Sequence, residues 1–165
     1  MLGGFLNLSA GVSINHTTLS DVKNTVTLGG STLSVIDPYR VRDAERGTPK
    51  NKEIIDAVYT HGPIVVDATV KRYGSYWYDA SASGLLPGGN GNRDQQFSPE
   101  VYLDLDVAYV FRSGLRVFAG SQNLFDKYPD KYVLGNRSNG VNTYSFIAPN
   151  GASGRFVYVG LDFAY

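Results

Sequence analysis

Phe156-Val157-Tyr158-Val159-Gly160-Leu161-Asp162-Phe163-Ala164-Tyr165, the end of the chain, decides how the rest is read. Every second residue back from Phe163 is apolar (Leu161, Val159, Val157), whereas the residues between are small, charged or amphipathic (Ala164, Asp162, Gly160, Tyr158, Phe156). A period of two means a strand with two unlike faces. One face suits hydrocarbon; the other carries Asp162 and suits water. An aromatic terminal residue, Tyr165, fits a strand that stops at a membrane interface.

The same alternation recurs upstream. Val101, Leu103, Leu105, Val107, Tyr109 and Phe111 oppose Tyr102, Asp104, Asp106 and Ala108. After a turn at Arg112-Ser113-Gly114, Leu115, Val117 and Ala119 oppose Arg116, Phe118, Gly120 and Gln122. A strand from Ile64 to about Tyr78 sets Ile64, Val66, Ala68 and Val70 against Asp67, Thr69, Lys71 and Tyr73. Residues 51–60 form a less regular strand, since Ile54 and Ile55 are adjacent, and His61-Gly62-Pro63 reverses the chain between the two. Leu6 to His16 alternates most regularly, with Leu6, Leu8, Ala10, Val12 and Ile14 against Asn7, Ser9, Gly11, Ser13 and Asn15. Residues 17–50, 80–99 and 126–153, rich in Gly, Pro, Asn and charge, read as long loops. The expected fold is therefore all-β: an antiparallel meander of about six strands with short turns at one end and long loops at the other. That asymmetry and strand length fit the C-terminal part of a transmembrane β-barrel, incomplete and not closed. Residues 1–165 form one such segment.

Composition agrees and excludes several classes. Twelve Tyr, 8 Phe and 19 Gly in 165 residues favour strands and turns over helices. Fifteen basic and 15 acidic residues balance, so nothing in the charge points to nucleic acid. Without Cys, neither a disulfide framework nor a thiolate metal site is possible. No run approaches the ~18 apolar residues of a spanning helix, yet a barrel tolerates such modest hydropathy because half its residues face water. Met1 to Leu8 has neither the basic nor the continuous apolar region of a secretory signal. Because an outer-membrane protein must be exported, the expectation is a fragment of a longer precursor or a truncated reading frame.

Three further segments carry a family likeness: Arg46-Gly47-Thr48-Pro49-Lys50-Asn51-Lys52 before a strand, Val70-Lys71-Arg72-Tyr73-Gly74 within the next, and Gly120-Ser121-Gln122-Asn123-Leu124-Phe125-Asp126-Lys127-Tyr128-Pro129. The last is the most specific. Across essentially its whole length the chain resembles the C-terminal barrel of TonB-dependent outer-membrane receptors, in which an Asn-Leu-Phe-Asp run precedes a loop and an aromatic-ended final strand. The resemblance implies energised uptake of a scarce solute, of siderophore, cobalamin or saccharide class, through a barrel of roughly 22 strands. It implies no catalysis and no cofactor. Its implied partners are outer-membrane lipid, the barrel-assembly machinery reading Tyr165, Phe163 and Leu161, and, in a full-length form only, the plug and TonB. This chain has no plug and no TonB box, and about six strands fall short of the roughly eight needed for closure, so transport by the chain alone is not expected. A passive porin-like segment and a soluble lipocalin-like ligand-binding domain are the alternatives.

Candidate sites are few. Asp104 and Asp106 share a face, as glycosidase or metal carboxylates do, but the simpler expectation is a solvated lumenal charge ladder with Asp67, Lys71, Arg116 and Asp162. Gly88-Gly89-Asn90-Gly91 lacks the strand and helix that a phosphate cradle needs. His16 and His61 stand outside any metal-ligand spacing and read as structural. The glycosylation-like triplets at Asn15 and Asn136 lack a secretory context. Tyr73, Tyr76, Trp77 and Tyr78 read as an interface girdle, with stacking of Tyr76, Trp77 and Tyr78 on a ligand as the alternative.

Overall fold

The computed structural model describes residues 3–20, 25–34, 38–78, 95–133 and 143–163. It is all-β apart from one short helix. Strands β1 (Phe5–Ile14), β2 (Thr25–Leu28) and β3 (Ser31–Ser34) precede helix α1 (Pro38–Arg46). Then follow β4 (Asn51–His61), β5 (Ile64–Tyr73), β6 (Tyr76–Tyr78), β7 (Gln95–Phe97), β8 (Glu100–Val110), β9 (Leu115–Gln122) and β10 (Phe156–Phe163). Six strands form one antiparallel sheet in the order β1-β4-β5-β8-β9-β10, which does not close: β1 and β10 are its two edges.

The turns explain the pairing. Gly62 and Pro63 link β4 to β5, with His61 opposite Ile64; Gly62 takes φ +56° and Pro63 follows, the residue order of a tight primed turn. Between β8 and β9, Gly114 at φ +86° lets Phe111 and Leu115 close the loop through a 2.8 Å backbone bond. Both short turns lie at one end of the sheet. The three longer connections all leave from the other.

The register aligns the alternation across all six strands. Val107 pairs with Val66 and Ala119, Val66 with Tyr59, Tyr59 with Leu6, and Ala119 with Val159. One face is thus a continuous apolar surface running from Leu6, Leu8, Val12 and Ile14 to Val157, Val159, Leu161 and Phe163. Its residues are exposed on the edge strands (Leu8 65%, Ile14 82%, Val159 80%) and half-buried at Val66, Leu103 and Leu105 in the middle, with none of the described apolar ones buried in a core. A surface of this extent requires a covering phase or partner. Charge enters it where Glu53 and Arg72 pair at 2.9 Å beside the long connections. Between Val101 and Tyr109 the strand rises roughly 27 Å.

The opposite face carries Asn7, Ser9, Gly11 and Ser13 on β1, Asp56 on β4, Asp67, Thr69 and Lys71 on β5, Asp104 and Asp106 on β8, Arg116 and Gln122 on β9, and Asp162 on β10. The adjacent isoleucines of β4 divide between faces: Ile55 joins the apolar side and Ile54 the polar one. Two glycines admit rings here. A Cβ on Gly120 would meet the Tyr158 ring, and one on Gly160 the Phe118 ring, so each glycine is covered by an aromatic from the neighbouring strand.

Three expectations need correction. Residues 17–50 are not uniformly loop, because the β2–β3 hairpin turns at Gly29-Gly30 (φ +58° and +83°) and α1 follows it. The strand from Ile64 ends at Tyr73; Gly74 bonds back to Asn51 (2.9 Å), and β6 leaves the sheet to pair with β7 in the connection expected to be loop throughout. Consequently Tyr73, Tyr76, Trp77 and Tyr78 do not line one lipid-facing edge. Tyr73 lies on the polar face and Tyr76 is buried in a separate cluster. Local periodicity does not register where a strand leaves one sheet for another.

Candidate functional site

The polar face is held by pairs that span neighbouring strands. Lys71 of β5 donates to Asp104 of β8 at 2.5 Å, Thr69 of β5 donates to Asp56 of β4 at 2.8 Å, and Arg116 of β9 pairs with Asp162 of β10 at 2.7 Å. Tyr158 of β10 reaches across β9, over the space left by Gly120, and donates to Asp106 of β8 at 2.5 Å. Asp67 lies directly opposite Asp106, an arrangement of like charges that costs energy unless relieved; the Tyr158 hydroxyl relieves it at Asp106. All six charged positions picked from the alternation (Asp67, Lys71, Asp104, Asp106, Arg116, Asp162) therefore share one face. Asp56 and Tyr158 belong with them and were not singled out, since Asp56 sits in the irregular β4 stretch and Tyr158 in a strand read for its apolar side. Among the described residues no group of three or more His, Cys, Asp or Glu side chains is placed to hold a metal ion.

The polar ladder ends in a built corner. Asn123, 4% exposed, follows β9 with φ +51°. Its backbone N–H donates to Asp104 (2.8 Å), while its side chain donates to the Lys127 carbonyl (2.7 Å) and accepts from the Lys127 N–H (2.9 Å). Leu124 N–H donates to the Leu103 carbonyl (2.8 Å), and Asp126, at φ +54°, accepts the Arg155 N–H at 2.8 Å. Asn and Asp are the non-glycine residues that best tolerate a left-handed backbone while bonding locally. The Asn-Leu-Phe-Asp run thus closes a turn around its own amides and ties the start of β10 to the first half of β8. Asp104 is the hinge of this arrangement, bonded to Lys71 through one oxygen and to Asn123 through the other.

That double role makes a stepwise prediction. Asp104→Asn keeps an acceptor for Asn123 and loses the ion pair, so it is expected to cost ~1 kcal/mol. Asp104→Ala loses both bonds and strands a buried N–H, for a total of ~2–3 kcal/mol. Urea-unfolding midpoints of the two variants measure the difference.

Above the sheet the long connections make an aromatic core. Tyr76 and Phe97 stack with centroids 4.8 Å apart, and Tyr132 packs on Phe97 at 6.1 Å with Ile147 and Tyr78 around them. Burial, reinforced by the Glu100 carboxylate, raises the pKa of the Tyr76 phenol, so it stays neutral at physiological pH. Below this cluster Tyr73 and Tyr102 meet edge to face, and Tyr102 donates to the buried Glu100 at 2.7 Å. The aromatics abundant in the sequence thus serve partly as packing for the connections. No ligand-stacking platform of consecutive rings forms, because alternate residues of β6 point to opposite sides.

The remaining positions fall as follows. Phe163 and Leu161 lie on the exposed apolar face of β10, while Tyr165, Gly88 to Gly91 and Asn136 lie outside the described residues. His61 donates through Nδ1–H to the Gly3 carbonyl at 2.5 Å and stacks on Tyr59, a local structural role. Among the described residues His16 bonds to the nearby Thr18 hydroxyl (3.2 Å). No family model, curated protein or solved structure matches the chain.

Proposed function

We propose that the chain is the C-terminal wall segment of a TonB-dependent outer-membrane receptor, built to stand between lipid and a water-filled lumen and to act in solute uptake only as part of a complete barrel with its plug. One observation carries this reading: an apolar sheet face, exposed along both edge strands and with none of its described apolar residues buried, backs a polar face cross-linked by charge, and all long connections leave from one end. On this reading Leu161 and Phe163 face hydrocarbon, the Lys71–Asp104 and Tyr158–Asp106 pairs line the lumen, and the Asn123 corner stands at the extracellular rim. The short turns at Gly62 and Gly114 then face the periplasm. The soluble lipocalin-like alternative needs its apolar side chains inside a closed barrel, and the exposure of Leu8, Val159 and Leu161 disfavours it.

Cell fractionation tests the proposal. The protein is expected to sediment with the outer membrane and to resist carbonate extraction. Recovery as a monodisperse soluble species without detergent would overturn it. An in-frame plug and TonB box in the genomic DNA upstream of Met1 would distinguish the receptor from a passive porin-like wall.

A further inference from the structure

The β6–β7 ribbon has two sides. Tyr76, Phe97 and Tyr78 supply the aromatic cluster on one. Trp77 and Gln96, opposite each other in the ribbon, alternate to the other side, against which α1 packs. Between that side, the end of α1 and the rim of β1 and β4 lies a cavity of ≈ 630 Å³ lined by Arg46, Lys50, Asn51, Trp77, Gln96 and Ile14. Its volume is that of a small-molecule site. Among the described residues neither Arg46 nor Lys50 has a carboxylate ion-paired to it, whereas Lys71, Arg72 and Arg116 of the sheet each have one.

We propose that this cavity binds an anionic saccharide, a sugar bearing a carboxylate or phosphate. The planar Arg46 guanidinium offers paired donors to such an anion and Lys50 a mobile second charge. The flat, apolar C–H face of a pyranose packs on the Trp77 indole, and the Asn51 and Gln96 amides each carry a donor and an acceptor for ring hydroxyls. A neutral sugar forgoes both cations, and inorganic phosphate forgoes the indole. The site needs two adjoining chemistries, and the cavity supplies both. The ligand could come from solution or be the headgroup of a glycolipid, since Ile14 ends the apolar face at the same rim. The inference does not depend on the wall reading, because binding here requires only the local fold.

Trp77 is the one tryptophan of the chain, so its emission reports on this cavity. The test titrates the full chain, refolded in detergent micelles, with digalacturonate, glucose 1-phosphate, maltose and inorganic phosphate, and separately with a phosphorylated glucosamine glycolipid in mixed micelles. The charged saccharides, free or lipid-borne, are expected to shift the emission saturably, with maltose and phosphate at least ~tenfold weaker. The R46Q/K50Q double variant should lose at least ~tenfold in affinity while keeping the far-UV circular dichroism and membrane extraction behaviour of the parent. Added salt should weaken binding, as for exposed charges. A response to free sugars identifies a soluble ligand, and one confined to the glycolipid a membrane ligand. Equal binding of maltose, undiminished binding by the double variant, or no saturable response to any charged saccharide overturns the proposal.

Discussion

Val107→Arg is expected to abolish stable membrane association. Val107 lies in a cross-strand row whose neighbours are Val66 and Ala119, with Leu6, Tyr59 and Val159 further along it. No carboxylate in that row can neutralise a guanidinium. If the face meets hydrocarbon, Arg near the bilayer midplane costs ~2–4 kcal/mol, a thirty- to several-hundred-fold shift in equilibrium by the relation of about 1.4 kcal/mol per factor of ten. The readout is the fraction of protein in outer-membrane vesicles that survives urea extraction. Ser9→Arg, on the small polar face of β1, is the matched control and should leave that fraction nearly unchanged. Because β1 and β4 pair Ser9 with Asp56, the new charge there also gains an acidic neighbour. Equal losses in the two variants would show that the faces do not differ in what they contact, and the wall reading would fail with them.

The second large effect is expected at Asn123. Asn123→Ala removes two hydrogen bonds to Lys127, leaves both backbone groups of Lys127 to find water, and puts a Cβ-bearing residue without local bonding at φ +51°. Each lost bond costs ~1 kcal/mol, and the left-handed backbone adds ~1 kcal/mol, about 3 kcal/mol in all. Asn123→Gly relieves the backbone but not the bonds, for a cost of ~2 kcal/mol. Asn123→Asp keeps the acceptor for the Lys127 N–H and sets a carboxylate against its carbonyl. The predicted order of stability is therefore Asn, then Gly or Asp, then Ala, measured as urea-unfolding midpoints of refolded protein. A variant series in which Ala equals Gly would show that backbone conformation contributes nothing at this corner. The consequence reaches further than the turn, since Asp126 holds the Arg155 amide at the entrance to β10. Losing the corner should loosen the pairing of β9 with β10, which hydrogen exchange at residues 156–163 would report.

The two predictions probe different layers of the same chain, and those layers were not equally legible. Strand faces are written locally: on Val101 to Val110 each side chain's side follows from its parity, so the apolar and polar rows could be read before any pairing was known. Hairpin partners were legible wherever the turn was short, as at Gly62-Pro63 and Gly114. The corner was legible only as a resemblance, because the reason for its residues is the bond from Asn123 to Asp104, nineteen positions earlier and on another strand. Tyr76 to Tyr78 misled for a related reason. Consecutive aromatics after a strand suit an interface belt as well as a buried cluster, and only Phe97 and Tyr132, distant in sequence, decide between them.

The sequence by itself determined which side chains share a face and where the short turns fall, since a strand's two-residue period is a property of the backbone and needs no neighbour. Tertiary structure alone decided that the polar charges cross-link adjacent strands, that Gly120 and Gly160 make room for Tyr158 and Phe118, and that the connections fold into a hairpin, a helix and an aromatic core. Those outcomes depend on contacts between residues far apart along the chain. Their free energy comes from burial and hydrogen bonding that exist only once the strands are in register.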